Sequence, residues 1–165
     1  GNTAITVSSA GAVTQPLQPY FAVTPTAAQS NMAKSTEVTI VFGGEIFDVG
    51  GNFASNAFTA PVTGKYMLTA RVTLAQIDHD GNFYAHFRIR TSNREHSNNL
   101  HFTAIMGSQP ELYPFEIATL ADMDASDTAI VTYNESGPGA SQADLYNAGD
   151  AANQPYHYFS GCLVA

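Results

Sequence analysis

The stretch from residue 58 to 74, FTAPVTGKYMLTARVTL, constrains the fold of this chain more than any other. Phe58-Thr59-Ala60 is a short extended piece that Pro61 ends, and Thr63-Gly64-Lys65 turns the chain into a long alternating run over 66–74. Side chains on a strand alternate with a period of two. Tyr66, Leu68, Ala70, Val72 and Leu74 therefore point one way, and Met67, Thr69, Arg71 and Thr73 the other. The first set can build a core; the second is mixed. A strand of this kind needs a second layer over its apolar face.

The remainder of the chain follows the same pattern. Residues 20–24, 36–42, 45–49, 66–77, 82–91, 100–106, 115–120, 128–134 and 156–164 all have strand character, with turn signals between them. Gly43-Gly44 reads as a tight turn and Asp78-His79-Asp80-Gly81 as a hairpin loop. No segment of helical length carries apolar residues at i, i+3, i+4 and i+7 without interruption. About ten short antiparallel strands with regular turn signals imply an all-β fold, a two-sheet sandwich or jelly roll. Residues 135–155, rich in Gly, Ala, Ser, Asn and Asp, form one long loop, expected at an end of the sandwich.

Residues 1–19 differ in kind. Residues 4–7 and 12–14 are extended pieces around Ser8-Ser9-Ala10-Gly11, too few to bury a core. Gln15-Pro16-Leu17-Gln18-Pro19 is a stiff connector, because proline fixes φ and restricts the residue before it. The expected division is a stalk or connector over 1–19 and a jelly-roll head over 20–165. A chain that opens at Gly1 inside β-structure is expected of a processed product or of one part of a longer polypeptide.

Composition narrows the function. Its 165 residues suit one domain with a sizeable core. The lone Cys162 excludes an internal disulfide and, in its apolar run, is expected to be buried. Six Lys and Arg against 14 Asp and Glu, a net charge of −8, argue against a nucleic-acid partner. No stretch of 18 or more apolar residues is present, so membrane insertion is not expected, and no basic-then-apolar signal peptide opens the chain. With 12% charged and 44% hydrophobic residues, the surface should be neutral and rich in Ser, Thr, Asn and Gln. Such surfaces suit packing between subunits or neutral, hydroxyl-rich ligands.

The order Phe47-Asp48, Asn52-Phe53, Phe58-Thr59-Ala60-Pro61-Val62-Thr63-Gly64-Lys65-Tyr66 and a closing Phe159-Ser160-Gly161 strand resembles the globular head of complement component one-q and its relatives. These share the tumour-necrosis-factor jelly roll. Ser126-Asp127-Thr128-Ala129-Ile130-Val131 is similar to the family's Gly-Asp turn before its penultimate strand, with Ser126 in place of Gly. The collagen repeat that usually precedes such heads is missing from residues 1–19, which instead resemble connectors before heads in bacteriophage tail-fibre and related virion proteins. The resemblance implies a homotrimer around a threefold axis, with Met67, Thr69, Arg71 and Thr73 facing the axis together with Tyr156 and Tyr158. It includes no catalytic residue, and some relatives bind calcium near the trimer apex.

Several clusters invite a chemical reading. On the strand 82–91, Tyr84, His86, Arg88 and Arg90 share a face. With Arg94 they form a basic, aromatic stripe suited to an anionic sugar or phosphate, or to salt bridges with acidic neighbours. Asp78 and Asp80 place oxygens at alternate positions, yet Phe83 and Ile89 occupy the sixth and twelfth positions where a calcium loop needs Gly and a carboxylate. Asp122, Asp124 and Asp127 form a second acidic loop, readable as a solvated turn or a weak calcium site. The histidines at 79, 86, 96, 101 and 157 lack zinc spacing. Glu95, Glu111, Glu116 and Asp124 have nothing to place two of them in one cleft, and Ser160-Gly161 lacks a nucleophile elbow, so no enzyme is expected. Tyr113, Tyr146, Tyr156 and Tyr158 are suited to sugar stacking or to closing the core. Asn134-Glu135-Ser136 is a glycosylation triplet, meaningful only in a eukaryotic secreted protein.

The function expected is a non-enzymatic homotrimeric head on a phage tail fibre or other virion fibre. It would trimerise the fibre and bind a host-cell glycan or protein, beside other virion structural proteins. A secreted, complement-like recognition module and a purely structural virion decoration are the alternatives.

Overall fold

The computed structural model describes residues 4–77, 84–101, 112–137, 142–146 and 156–165. Among them lie fourteen strands and no helix: β1 (Thr6–Val7), β2 (Val13–Thr14), β3 (Tyr20–Thr24), β4 (Val38–Thr39), β5 (Gly44–Asp48), β6 (Phe53–Ala54), β7 (Ala57–Thr59), β8 (Gly64–Ala75), β9 (Tyr84–Thr91), β10 (Glu95–Leu100), β11 (Leu112–Met123), β12 (Thr128–Ser136), β13 (Asp144–Leu145) and β14 (Tyr158–Leu163). β1 and β2 pair as a separate hairpin. The others form two antiparallel sheets, one in the order β11-β8-β14-β3-β5 with β13 beside β8, the other in the order β10-β9-β12-β7-β6 with β4 beside β12.

β8 organises the first sheet. Tyr66, Leu68, Ala70, Val72 and Leu74 are fully buried, while Met67 between them is exposed. From the opposite sheet Phe58, Phe87, Ile89, Val131 and Tyr133 meet them, each 1% exposed or less. Phe21 stacks on Phe58 with centroids 4.5 Å apart and meets Phe159 edge-on at 4.9 Å. Each such ring contributes roughly 1.5–3 kcal/mol by leaving water. The crowding explains Gly161: an added Cβ would lie 2.6 Å from Leu68 Cδ2 and 2.9 Å from Phe21 Cε1. The Tyr66 hydroxyl keeps its bonding by donating to the Val62 carbonyl at 2.7 Å.

Three segments depart from the pattern expected of them. Within 36–42 only Val38 and Thr39 form a strand, and it pairs with β12, whereas β5 pairs with β3 in the other sheet. Gly43-Gly44 therefore carries the chain from one sheet to the other and is not a hairpin turn. A Cβ on Gly43 would come within 2.5 Å of Thr26 Oγ1 at that crossing. β10, over Glu95–Leu100, is a strand not expected from the pattern; of the strand expected over 100–106, residues 102–106 lie outside the described residues, as do 78–83, which carry the expected hairpin loop. In the loop over 135–155, the described part contains β13, which takes the place beside β8 where β14 stops.

The turn before β12 tests the exchange of Gly for Ser. Ser126 has φ 78°, in the left-handed region, while its N–H donates to the Ala60 carbonyl at 2.8 Å. That conformation costs a side-chain-bearing residue roughly 1–2 kcal/mol, part of which glycine returns as greater chain entropy on unfolding. Ser126→Gly should therefore stabilise the fold by about 0.5–1 kcal/mol in urea unfolding; a loss of stability would contradict this account of the turn.

Candidate functional site

The outer face of the first sheet is set by register. Strand pairing places Leu120, Met67, Cys162 and Tyr20 side by side in one row. The next row is Ala118, Thr69, Ser160, Ala22 and Phe47, and a third is Glu116, Arg71 and Tyr158. Leu120 is 55% exposed, Phe47 45%, Met67 41% and Tyr20 40%. The face thus grades from apolar, through small residues, to charged. Cys162 is half-exposed here instead of buried, because the alternation that sends Phe159 into the core sends Ser160 and Cys162 outward.

Tyr20 and Phe47 meet edge-on at 5.5 Å and wall a hollow of about 240 Å³ with Met67, Thr69, Ser160 and Cys162. Thr69 Oγ1 and Ser160 Oγ share a hydrogen bond of 2.9 Å on its floor, so neither hydroxyl is left bare. In the third row the Tyr158 hydroxyl donates to Glu116 at 3.2 Å; burial, and then the Glu116 charge, raise its pKa. Arg71 has a buried Nε with no hydrogen-bond partner. Of the residues expected at the axis, Met67, Thr69, Arg71 and Tyr158 share this face, whereas Tyr156 lies outside the strand and is exposed. Thr73 does not lie open on it. The chain at Tyr146 and His157 closes over this end of β8, leaving Thr73 buried, with its N–H donating to His157 Nδ1 at 3.0 Å and its carbonyl accepting from Tyr146 N–H at 2.9 Å.

The basic stripe occupies the outer face of the second sheet and is met from within the chain. Arg88 donates to Glu37 Oε1 at 2.9 Å, Arg90 also reaches Glu37, and Arg90 Nη2 lies 2.9 Å from Glu95. Thr132 adds a hydrogen bond of 2.8 Å to Glu37. Burial pushes the Glu37 carboxyl up, but Thr132, Arg88 and Arg90 outweigh it and hold the group below its ordinary value. Tyr84 and His86 stack edge-on at 4.7 Å, and His86 bonds Asn99 on β10. The salt-bridge reading of the stripe therefore describes its arginines, and an anionic ligand would have to displace Glu37 and Glu95.

The acidic loop is a braced turn. Arg94 makes a two-pronged pair with Asp122, both contacts 2.9 Å. Asp127 accepts from the Asp124 backbone and from Asn93, both at 2.8 Å, and Thr63 reaches Asp124 at 3.4 Å. The oxygens of the three aspartates thus serve the loop itself. Asp78 and Asp80 lie outside the described residues, among which no group of three His, Cys, Asp or Glu stands close enough to hold a metal.

Three positions were not singled out by spacing. Glu37 lies 51 residues from Arg88 in the chain, a contact only the fold creates. Glu135, inside the glycosylation triplet, is buried in β12 and accepts from the Tyr133 hydroxyl at 2.9 Å and Ala143 N–H at 3.2 Å. His157 is buried, its Nδ1 accepting from Thr73 and its Nε2 bonding the Tyr146 carbonyl. An open apolar groove of about 470 Å³ runs between the connector, at Leu17 and Pro19, and the end of the head, at Pro61, Val62, Leu163 and Val164.

No family model matches the chain, and no curated protein sequence does. Solved structures do. The globular domain of zebrafish complement 1qA is similar with a TM-score of 0.58 and 13% identity, over 90% of this chain and 98% of that one. Murine APRIL at pH 8.0 is similar with a TM-score of 0.57 and 12% identity, over 89% and 99%. The fold is thus the jelly roll of the complement 1q and tumour-necrosis-factor heads.

The Arg94 pair gives a pH test. Hydrogen bonding from Arg94 is the main cause that brings the Asp122 carboxyl down to about 2. A depressed carboxylate stabilises the fold above its unfolded pKa, roughly 3.9, and that contribution is lost as pH falls through the folded value. An NMR titration of Asp122 should show a midpoint at about 2, moving towards roughly 3.9 in Arg94→Ala. A wild-type midpoint in the ordinary range would contradict the pairing.

Proposed function

We propose that this chain is the non-enzymatic, homotrimeric head of a virion fibre protein. On the virion surface, it trimerises a phage tail fibre or related fibre and attaches it to a host-cell glycan or protein. The observation that carries this reading is the outer face of the first sheet, where Tyr20, Phe47, Met67 and Leu120 stand open to solvent in adjoining rows. A lone soluble chain seldom exposes such a patch, and cyclic association of identical chains covers it. The fold shared with complement 1qA and APRIL, and a composition only 12% charged, support the same reading.

In this reading residues 1–19 join the head to its fibre, with Leu163 N–H donating to the Pro19 carbonyl at 3.0 Å where connector meets head. Host contact comes from three weak sites acting together, since linkage raises the effective concentration of the second and third. The likeness to the zebrafish complement head favours a second reading, a secreted recognition module. Binding of the isolated head to candidate bacterial hosts separates the two, and its absence on every host of a fibre-bearing phage favours structural decoration.

Light scattering on the purified chain at micromolar concentration should give three times its 17.5 kDa mass. A stable species of single-chain mass would overturn the trimer.

A further inference from the structure

We propose that the cleft between the two sheets, on the side where β5 and β6 form their edges, binds a neutral pyranose. This deepens the glycan-attachment reading and rests on it for the source of the sugar, a host-cell surface. β5 ends the first sheet and β6 ends the second. Between them lies a hollow of about 310 Å³, with Val23, Phe42, Glu45, Phe53, Ser55 and Asn56 among its lining residues. Ligand pockets begin at roughly 300 Å³ and combine apolar walls with a few polar groups that fix orientation.

Two backbone irregularities bring the polar groups here. A β-bulge in the pairing of β3 with β5 shifts the register, so that Glu45 stands opposite Val23, a core residue, while Phe47 stands opposite Ala22. Bulges re-aim side chains in this way. Without the extra residue Glu45 and Phe47 would share the outer face. β6 and β7 are joined by Ser55 and Asn56 alone, with φ of 51° and 64°. A two-residue turn with both φ positive favours Asn-Gly, so Ser55 is held there under strain. Strain of this kind persists only where the surrounding structure enforces it, and it clusters at ligand sites.

The chemistry of the lining selects the ligand. Phe53 gives the hollow a fixed aromatic wall: it is half-exposed, with Phe21 stacked on its ring at 5.5 Å and Phe159 meeting it edge-on at 6.1 Å. The C–H face of a pyranose packs on such a ring. Asn56 Oδ1 accepts from Phe42 N–H at 3.0 Å, which leaves the amide NH2 as a donor. Among the described residues nothing bonds that NH2, the Ser55 hydroxyl or the Glu45 carboxylate. The hollow therefore offers donors and acceptors beside a ring, the complement of neighbouring hydroxyls that both donate and accept. An ammonium ligand has no use for the Asn56 donor. Glu45, in a chain of net charge −8, opposes an anionic sugar.

Saturation-transfer NMR on the whole chain tests this with methyl β-glucoside, methyl β-galactoside and N-acetylglucosamine as probes. At least one should receive magnetisation from the protein at millimolar concentration, while N-acetylneuraminic acid and butylamine should receive none. Ser55→Gly relieves the turn and removes the hydroxyl, so it should raise the urea midpoint while weakening binding roughly tenfold, the worth of one hydrogen bond. Glu45→Ala should weaken binding at least as much. Asn98→Ala, on the β10 edge at the far side of the second sheet, should leave it unchanged. Sugar binding that survives both Ser55→Gly and Glu45→Ala would overturn this site and leave glycan attachment standing. Transfer to none of the neutral probes, or to N-acetylneuraminic acid or butylamine in their place, would overturn the inference even where the head attaches to host cells. Binding in the hollow by a head that attaches to no host would uphold the site and overturn the attachment reading.

Discussion

β8 is hydrogen-bonded along both edges, to β11 on one side and to β14 and then β13 on the other, and this pairing decides what the rest of the first sheet can present. A slip of one residue would exchange Tyr66, Leu68, Val72 and Leu74 for Met67, Thr69, Arg71 and Thr73 on the core side. Burying Arg71 among Phe21, Phe58 and Phe159 without a partner would cost several kcal/mol, so the register is strongly held. The rows on the outer face follow from it: once β8 is placed, β11 sets Leu120 and Glu116, and β14 sets Cys162 and Tyr158.

The two outer faces then differ in how their side chains are satisfied. On the second sheet Arg88, Arg90, Glu37, Glu95 and Thr132 bond one another, and His86 bonds Asn99, so that face is chemically settled in water. On the first sheet Tyr20, Phe47, Met67 and Leu120 expose rings and apolar chains, whose contact with water costs about 25 cal/mol per Å². Association that covers the first face gains that free energy, whereas association through the second would have to strip hydrated ion pairs. In the proposed trimer, assembly falls to the first face and the second stays open to solvent.

Much of this was legible in the sequence, for a physical reason. β8, β9 and β12 carry apolar residues with a period of two, and burial follows that period apart from Thr73 and Thr132, whereas β3 is buried on both faces after Tyr20. β10, with the sequence EHSNNL, is an edge strand held by backbone bonds to β9 and has no apolar alternation to reveal it. β4 and β13 are two residues long and owe their form to their neighbours on β12 and β8. The mixed face of residues 67–73 was readable as a face, but the burial of Thr73 depends on His157, 84 residues away. Likewise the positive charge of the stripe was plain, while its partner Glu37 was not, since sequence distance says nothing about which acid the fold will bring to Arg88 and Arg90.

Met67 and Tyr84 offer the most direct test of the central claim that the first sheet is the assembling face. They have nearly equal exposure in the single chain, 41% and 42%, on opposite outer faces. In hydroxyl-radical footprinting followed over increasing protein concentration, Met67 should become protected while Tyr84 keeps its reactivity. Unchanged Met67 oxidation from nanomolar to micromolar protein, or protection of Tyr84 in its place, would contradict the account.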